Sequence, residues 1–460
     1  MIENLISTVN WIILVISTAL VILFLVSSLL ERERRAAVIS FLVIVVNPGL
    51  WIALHLFMHL NWVFILNLVL LVLAAVFIMV SFIKFFPGAS QRDLSAVQPF
   101  DERDHMFSRN NLKSHPQLAE KYYAAHPEKK DIDEKIHGKP GIEEPGRVFY
   151  DSRYTPLFAA VYSHLAQTRS ATRGEPFAEK KEINKEQLVQ VIREIALYYG
   201  AVDIGITSLK PYYLYTHAGR HEENWGEKIQ TNHSTVIVIV VAMDVKMIKS
   251  APALPTAMES SRQYVEAAKI ANIIAAYIRY LGYAARAHTD GNYQLACVPA
   301  AVDAGLGPLG RIGLLMHPVY GPCVRISAVT TELDLPPTTD TKNSHSWKLQ
   351  SIEHFCDICK KCADNCPTQS IGKGEEPFSR GCRHWSINQE TCYSYWKTIG
   401  TDCGFCIRVC PYTKPNTLMH KLVRLYITRN ALNQQIALFF DDLFYGRKLP
   451  LADKNPGKII

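Results

Sequence analysis

The sequence predicts an α+β protein carried on three N-terminal transmembrane helices and completed by a cysteine-rich metal module. Three observations carry that reading. The first 86 residues are almost continuously apolar. From Asn184 onward, strand-like and helix-like patterns alternate. Seven of the eleven cysteines fall in two tight groups between Cys356 and Cys410.

The 460 residues, 48% of them hydrophobic, are enough for two or three domains. The formal charge of +7 is modest and fits a membrane-proximal surface. No segment concentrates Lys and Arg and no nucleic-acid motif is present, so nucleic acid is not an expected partner. Cysteines at two- and three-residue intervals in a long chain point to a metal centre rather than to disulfides. Cys297 and Cys323 stand alone and read as small buried hydrophobes.

Residues 1–86 form the expected anchor. The runs Thr8 to Leu30, Val38 to Phe57 and Trp62 to Phe82 carry no Lys, Arg, Asp or Glu. Each approaches the roughly 20 residues that cross a bilayer core. A cleaved signal peptide is one shorter run behind basic residues, and nothing basic precedes Thr8. Pro48 and Gly49 predict a kink in the second run that neighbouring helices accommodate. Arg32, Arg34 and Arg35 fill the first connection, whereas the second, around His59 to Asn61, has no Lys or Arg. The positive-inside rule therefore places the first connection, and everything after Lys84, on the cytoplasmic face of the cell membrane.

Residues 87–183 read as a linker, Pro87 to Gln98, and a polar segment that wraps another surface. The core is expected over 184–345. Asn184 caps a helix that runs to Gly200, VDIGIT and STVIVIVVAMDV read as strands, a long helix from Arg262 ends near Gly282, and VRISAVTTELDL is a further strand. STVIVIVVAMDV has no polar alternation and reads as buried on both faces.

Residues 346–415 hold the cysteine groups. Cys356-x2-Cys359-x2-Cys362-x3-Cys366-Pro367 is the bacterial ferredoxin run, in which the fourth cysteine crosses to the other cluster. The second group is Cys403-x2-Cys406-x3-Cys410-Pro411. Exchange of Cys366 and Cys410 gives Cys356, Cys359, Cys362 and Cys410 around one 4Fe–4S cluster. Cys366, Cys403 and Cys406 remain for the second and need one more thiolate; Cys392 is preferred and Cys382 is the spare. Zinc also takes four cysteines but does not explain a Cys-Pro ending both groups. Residues 416–460 are expected to pack back on the core. Gly305, Gly307 and Gly310 match G-x-G-x-x-G without the strand-to-helix context of a dinucleotide site. They read either as a close backbone approach to another large planar ligand or as a plain turn.

Taken together, PFDERDHMFSRNNL, HPE, KPGI, WGEKIQ, YIRYLGYAARAHTDGNYQL, AGLGPLGRIGLLMHPVYGPCVRISAVTTELDLPP, the paired cysteine groups and FDDLFYGRK resemble the corrinoid- and iron–sulfur-dependent reductive dehalogenases over roughly Asp93 to Lys448. The resemblance implies a nitroreductase-like corrinoid-binding core with a ferredoxin-like domain attached. It implies a base-off cobalamin (a corrinoid) beside the two 4Fe–4S clusters, and a small organohalide as substrate. It implies that Tyr264 donates a proton, that Asn292 positions Tyr264 or the substrate, and that Arg325 lowers the tyrosine pKa and steadies the tyrosinate. A membrane electron donor, a quinol or a reduced ferredoxin or flavodoxin type, and membrane lipid complete the expected partners. The chain lacks at its start the twin-arginine signal of exported members and resembles the self-anchored minority. Two alternatives stand beside this reading: a related corrinoid iron–sulfur reductase of the epoxyqueuosine reductase type, and a non-catalytic membrane ferredoxin.

Overall fold

The computed structural model describes residues 2–57, 60–86, 96–338 and 347–449. Part of the expected linker (87–95), His59, the 345/346 boundary and residues 450–460 lie outside the described residues. The chain forms two compact units, one from residues 1–89 with 415–449 and one from residues 90–414.

In the first unit, helices Ile2–Leu30, Arg34–Leu56 and Asn61–Phe82 are long and apolar enough to cross a membrane. At 1.5 Å per residue even the shortest, of 22 residues, spans about 33 Å, enough for a hydrocarbon core of about 30 Å. Pro48 sits inside an unbroken helix, and the neighbouring Asn47 side chain donates to Ser17 Oγ (3.0 Å) and Thr18 Oγ1 (3.1 Å) of the first helix. Helices Leu418–Ile427 and Ala431–Tyr445 belong to this unit. Residues 415–449 thus group with the first unit, whereas the sequence reading expected 416–460 to pack back on the core. The cause is chemical: these helices expose Leu418, Leu422, Leu432 and Phe439 and turn amides inward, a pattern unsuited to covering a polar surface.

The second unit centres on a four-stranded antiparallel sheet in the order β1-β2-β4-β3, with β1 Asp203–Ser208, β2 Thr235–Ala242, β3 Ala285–His288 and β4 Val324–Thr331. Successive side chains of a strand face opposite ways, and β2 uses both faces. Ile237, Ile239 and Val241 pack with helices Lys185–Tyr198 and Leu254–Tyr280, while Val236, Val238 and Val240 pack with Leu295, Ala300 and Ala301. This explains the unbroken apolar run and makes the sheet α+β. The long helix begins at Leu254, two turns before the expected Arg262, because Pro255 is tolerated in a first turn where its missing N–H has no partner to lose. β3 escaped the sequence reading: Ala-Arg-Ala-His is only four residues long, lies at the sheet edge and alternates with nothing larger than alanine on its apolar side.

The polar segment 99–147 is helical and grips helix Gln389–Ile399. Arg109, fully buried, donates to both oxygens of Asp133 (3.0 and 2.7 Å) and to Glu390 (2.8 Å), and Lys129 donates to Glu390 (2.9 Å). Lys139 reaches Ser394 and Thr398 of the same helix.

Candidate functional site

The cysteine module opens with helix Trp347–Cys359, which Lys360 ends in the left-handed conformation (φ 54°) before the short helix Lys361–Asp364. That turn wraps Cys356, Cys359 and Cys362 around one cavity. Cys410 of the second group lines the same cavity, with Ile312, Met316 and Phe355 as apolar walls. Burial raises the Cys410 thiol, and its charged-form neighbours are Cys359, Cys356 and Cys362. The Cys406 thiol is raised by burial, then by Cys403, Cys392 and Cys366. Cys406 also lines the first cavity and is a charge neighbour of Cys362, so the two cysteine groups adjoin. Cys382 lies instead in a two-residue strand, its sulfur 3.5 Å from His384 Nδ1.

These surroundings suit iron–sulfur clusters. Arg311 N–H and Ser370 N–H donate to Cys356 Sγ and Cys366 Sγ, each at 3.2 Å, the hydrogen bonding that tunes cluster sulfurs. Burial pushes the Cys356 and Cys392 thiols up to about 11 and Cys403 to about 12, so thiolates here need a cationic centre. Among the described residues, no three His, Cys, Asp or Glu converge on the point that a single ion would occupy. The sulfurs ring a void instead, which favours a cluster over one tetrahedral zinc. Cys297 and Cys323 are free, buried in core clusters and raised by burial.

Tyr264 and Arg325 come together. Arg325, on β4, sets its guanidinium carbon 5.0 Å from the Tyr264 ring centroid. The same guanidinium donates to Ser260 Oγ, one turn before Tyr264 on the long helix, and lies 3.6 Å from Asp402 Oδ2. Burial holds the Tyr264 phenol above its ordinary value; the pull of Arg325 downward is the next largest influence and does not overcome it. The expectation that Arg325 lowers the tyrosine pKa therefore describes one influence and not the outcome. The outcome is a phenol that keeps its proton at neutral pH beside a cation able to stabilise its anion.

Asn292 is buried elsewhere in the network. Its amide donates to Thr172 Oγ1 (2.7 Å), and its carbonyl accepts from Arg286 (3.2 Å). Burial dominates the acidity of Tyr162, Tyr264, Asp290, Tyr293 and Asp402, yet each keeps accessible surface. Tyr162 feels the charges of Asp290, Tyr264, Asp402 and Arg325, so these groups form one buried cluster. Arg325 Nε and Asp402 Oδ1 are buried without a protein partner. Sequence reasoning missed Asp402, Ser260 and Tyr162; an acid directly before a cluster cysteine was the available signal for Asp402.

The glycine pattern makes its close approach to the chain itself. A Cβ on Gly307 would meet Met316 O at 2.3 Å, and one on Gly310 would meet Met316 Cγ at 2.6 Å. Gly305 takes φ 77°. The turn reading accounts for Gly307 and Gly310 by intramolecular packing.

A family model described as a 4Fe-4S dicluster domain matches residues 355–414. The chain is 34% identical over 236 residues to a tetrachloroethene reductive dehalogenase of Desulfitobacterium hafniense, covering 49% of this chain and 41% of that protein. It is 32% identical over 232 residues to that of Sulfurospirillum multivorans, covering 49% and 44%. The match thus spans less than half the length of these relatives. Among solved structures, the catabolic reductive dehalogenase NpRdhA in complex with 3-bromo-4-hydroxybenzoic acid superposes with a TM-score of 0.65 at 21% identity, over 82% of this chain and 50% of that one.

Proposed function

We propose, from the premise that this chain belongs over its core and cluster module to the reductive dehalogenase family, that it is an oxidoreductase replacing halogen by hydrogen on a small organohalide. Two electrons and one proton enter, and one halide leaves. The observation that carries the reading is the convergence of both cysteine groups on one cavity, in a chain whose Tyr264 and Arg325 face one another.

Cys356, Cys359, Cys362 and Cys410 hold one 4Fe–4S cluster, and Cys366, Cys392, Cys403 and Cys406 hold the other; the two form an electron relay. A base-off cobalamin supplies the carbon–halogen cleavage when bound. The orphaned Arg325 Nε and Asp402 Oδ1, among groups that keep some accessible surface, suit a polar cofactor or substrate that would satisfy them. The protein's own work there is proton delivery. Tyr264 OH gives its proton to the product carbon, Arg325 steadies the phenolate, and Ser260 and Asp402 hold Arg325 over the ring. Asn292 braces Thr172 and Arg286. Gly305, Gly307 and Gly310 keep the turn that places Arg311 at the first cluster.

The first unit anchors the protein in the cell membrane. Its basic residues support a cytoplasmic catalytic side: Arg32, Arg34 and Arg35 follow the first span, and Lys421 and Arg424 lie in the helix, and Arg429 in the turn after it, that are joined to that end. A quinol or a reduced ferredoxin or flavodoxin is the fitting donor class. Anaerobic purification with cobalamin, followed by an organohalide panel read as halide release, tests the reading. Iron and cobalt bound together with halide released is the expected result; iron without cobalt would make the protein an electron conduit.

A further inference from the structure

The two C-terminal helices are built inside out. Helix Leu418–Ile427 exposes Leu418 (68%), Leu422 (45%) and Leu425 (54%), spaced as one stripe. Helix Ala431–Tyr445 exposes Leu432 (45%), Phe439 (64%), Phe440 (46%) and Leu443 (38%). Polar side chains occupy the interior: His420 is 7% exposed, Asn430 5%, and Asn433 and Gln434 0%. A hairpin facing water reverses this arrangement, and a contiguous apolar patch of this kind marks an interaction site.

The hairpin is tied to one set of span ends. His420 Nε2 lies 3.1 and 3.0 Å from the two carboxylate oxygens of Glu31, which follows the first span. Arg35 Nε donates to Leu443 O at 2.9 Å. Asn430 Nδ2 donates to Val80 O and Ile83 O, and Asn433 Nδ2 to Ser81 O, each at 3.0 Å, where the third span ends. Its depth is also fixed. The Phe444 ring packs edge-on against Phe24, centroids 4.8 Å apart. Phe24 lies six residues before Leu30, about 9 Å inside the end of the span at 1.5 Å per residue. The helices have 10 and 15 residues, so they extend about 15 and 22 Å and cannot cross a core of about 30 Å.

We propose that the hairpin Leu418–Tyr445 is a monotopic membrane element, lying in the lipid interface beside the spans with its leucine and phenylalanine stripe against acyl chains. Interfacial helices seat their apolar face about 5–10 Å below the headgroups, the depth at which Phe444 meets Phe24. Lys421 and Lys448 are exposed beside the stripe and suit anionic headgroups. The proposal rests on reading the three long helices as bilayer spans, and its test separates the two.

The full chain is reconstituted in phospholipid vesicles doped with a phospholipid carrying a diazirine on its acyl chain. After photolysis, peptides are mapped by mass spectrometry. Adducts in the spans and on Leu418, Leu422, Phe439, Phe440 and Leu443 are expected, with none in the β1–β4 sheet. Labelled spans with an unlabelled hairpin overturn this proposal alone. Absence of label from spans and hairpin overturns the membrane reading as well. Cross-linking of the unlabelled hairpin to a second copy of the chain replaces lipid by a protein partner and also overturns it. A Phe439→Glu, Phe440→Glu variant should lose hairpin adducts several-fold while span adducts and bound iron stay unchanged; unchanged hairpin labelling in that variant sinks the proposal.

Discussion

The cysteine module and the Tyr264 site are neighbours built on opposite principles. Five of the eight cluster cysteines lie in Cys-x2-Cys units, where local chain geometry alone brings sulfurs together. The Tyr264 cluster draws Tyr162, Ser260, Asp290, Arg325 and Asp402 from segments far apart in sequence, and only the fold of the sheet and long helix brings them together. A metal site can therefore be read as a string. A proton-delivery site has to be read as a surface.

The sharpest way to break the comparison is at Cys392, the one ligand assigned without a motif. Cys392→Ser should remove one of two four-iron clusters, so bound iron falls by about half and turnover is lost. Cys382→Ser should leave iron content unchanged. Iron loss in the Cys382 variant and none in the Cys392 variant would reverse the assignment. At the other site, Tyr264→Phe should lower kcat by roughly 10²- to 10⁴-fold, the usual worth of a positioned general acid. Iron and cobalt contents should stay at wild-type values; a Phe variant with wild-type kcat removes Tyr264 from proton delivery.

Much of this was legible in advance. The three long apolar helices, the doubly buried β2 and the helix after Asn184 follow from period and spacing, which short stretches of chain determine. The direction of the Tyr264 shift did not follow, because burial outweighs the arginine and burial is a property of the fold. Asp402 was invisible for the same reason: its partner Arg325 lies 77 residues earlier in the sequence. The place of the C-terminal hairpin was not legible, because a helical stripe of Leu and Phe reads alike whether it faces a core or lipid. Pattern fixes a period, and the medium on the apolar side comes from what surrounds it.

The contact between motif and fold is the grip of the polar segment on the Cys392 helix. Arg109→Met leaves Asp133 buried without its cation, which should cost about 3–5 kcal/mol. A lowered urea midpoint would register it. Loss should be felt first at the second cluster, because Glu390 and Cys392 share a helix. An unchanged midpoint would show that the clasp is decorative, and that the cysteine module holds itself together by its own ligands.

The smallest expected effect falls on the bridge between the two regions. Asp402 adjoins Cys403 and offsets the charge of Arg325, 3.6 Å away. Its charge also raises the Tyr264 pKa, whereas Arg325 lowers it. In Asp402→Asn one raising influence is removed while burial and Asp290 remain, so Tyr264 ionises at lower pH than in the parent. A donor works only while protonated, so activity holds below its pKa and falls as pH rises through it. The alkaline limb of kcat should therefore move down in pH by roughly one unit or less, equal to about 1.4 kcal/mol at most. KM should change little, because the substitution alters a proton and not a binding contact. A limb that stays fixed while kcat drops uniformly would assign Asp402 to the cluster side of the boundary, acting on electron supply rather than on Tyr264.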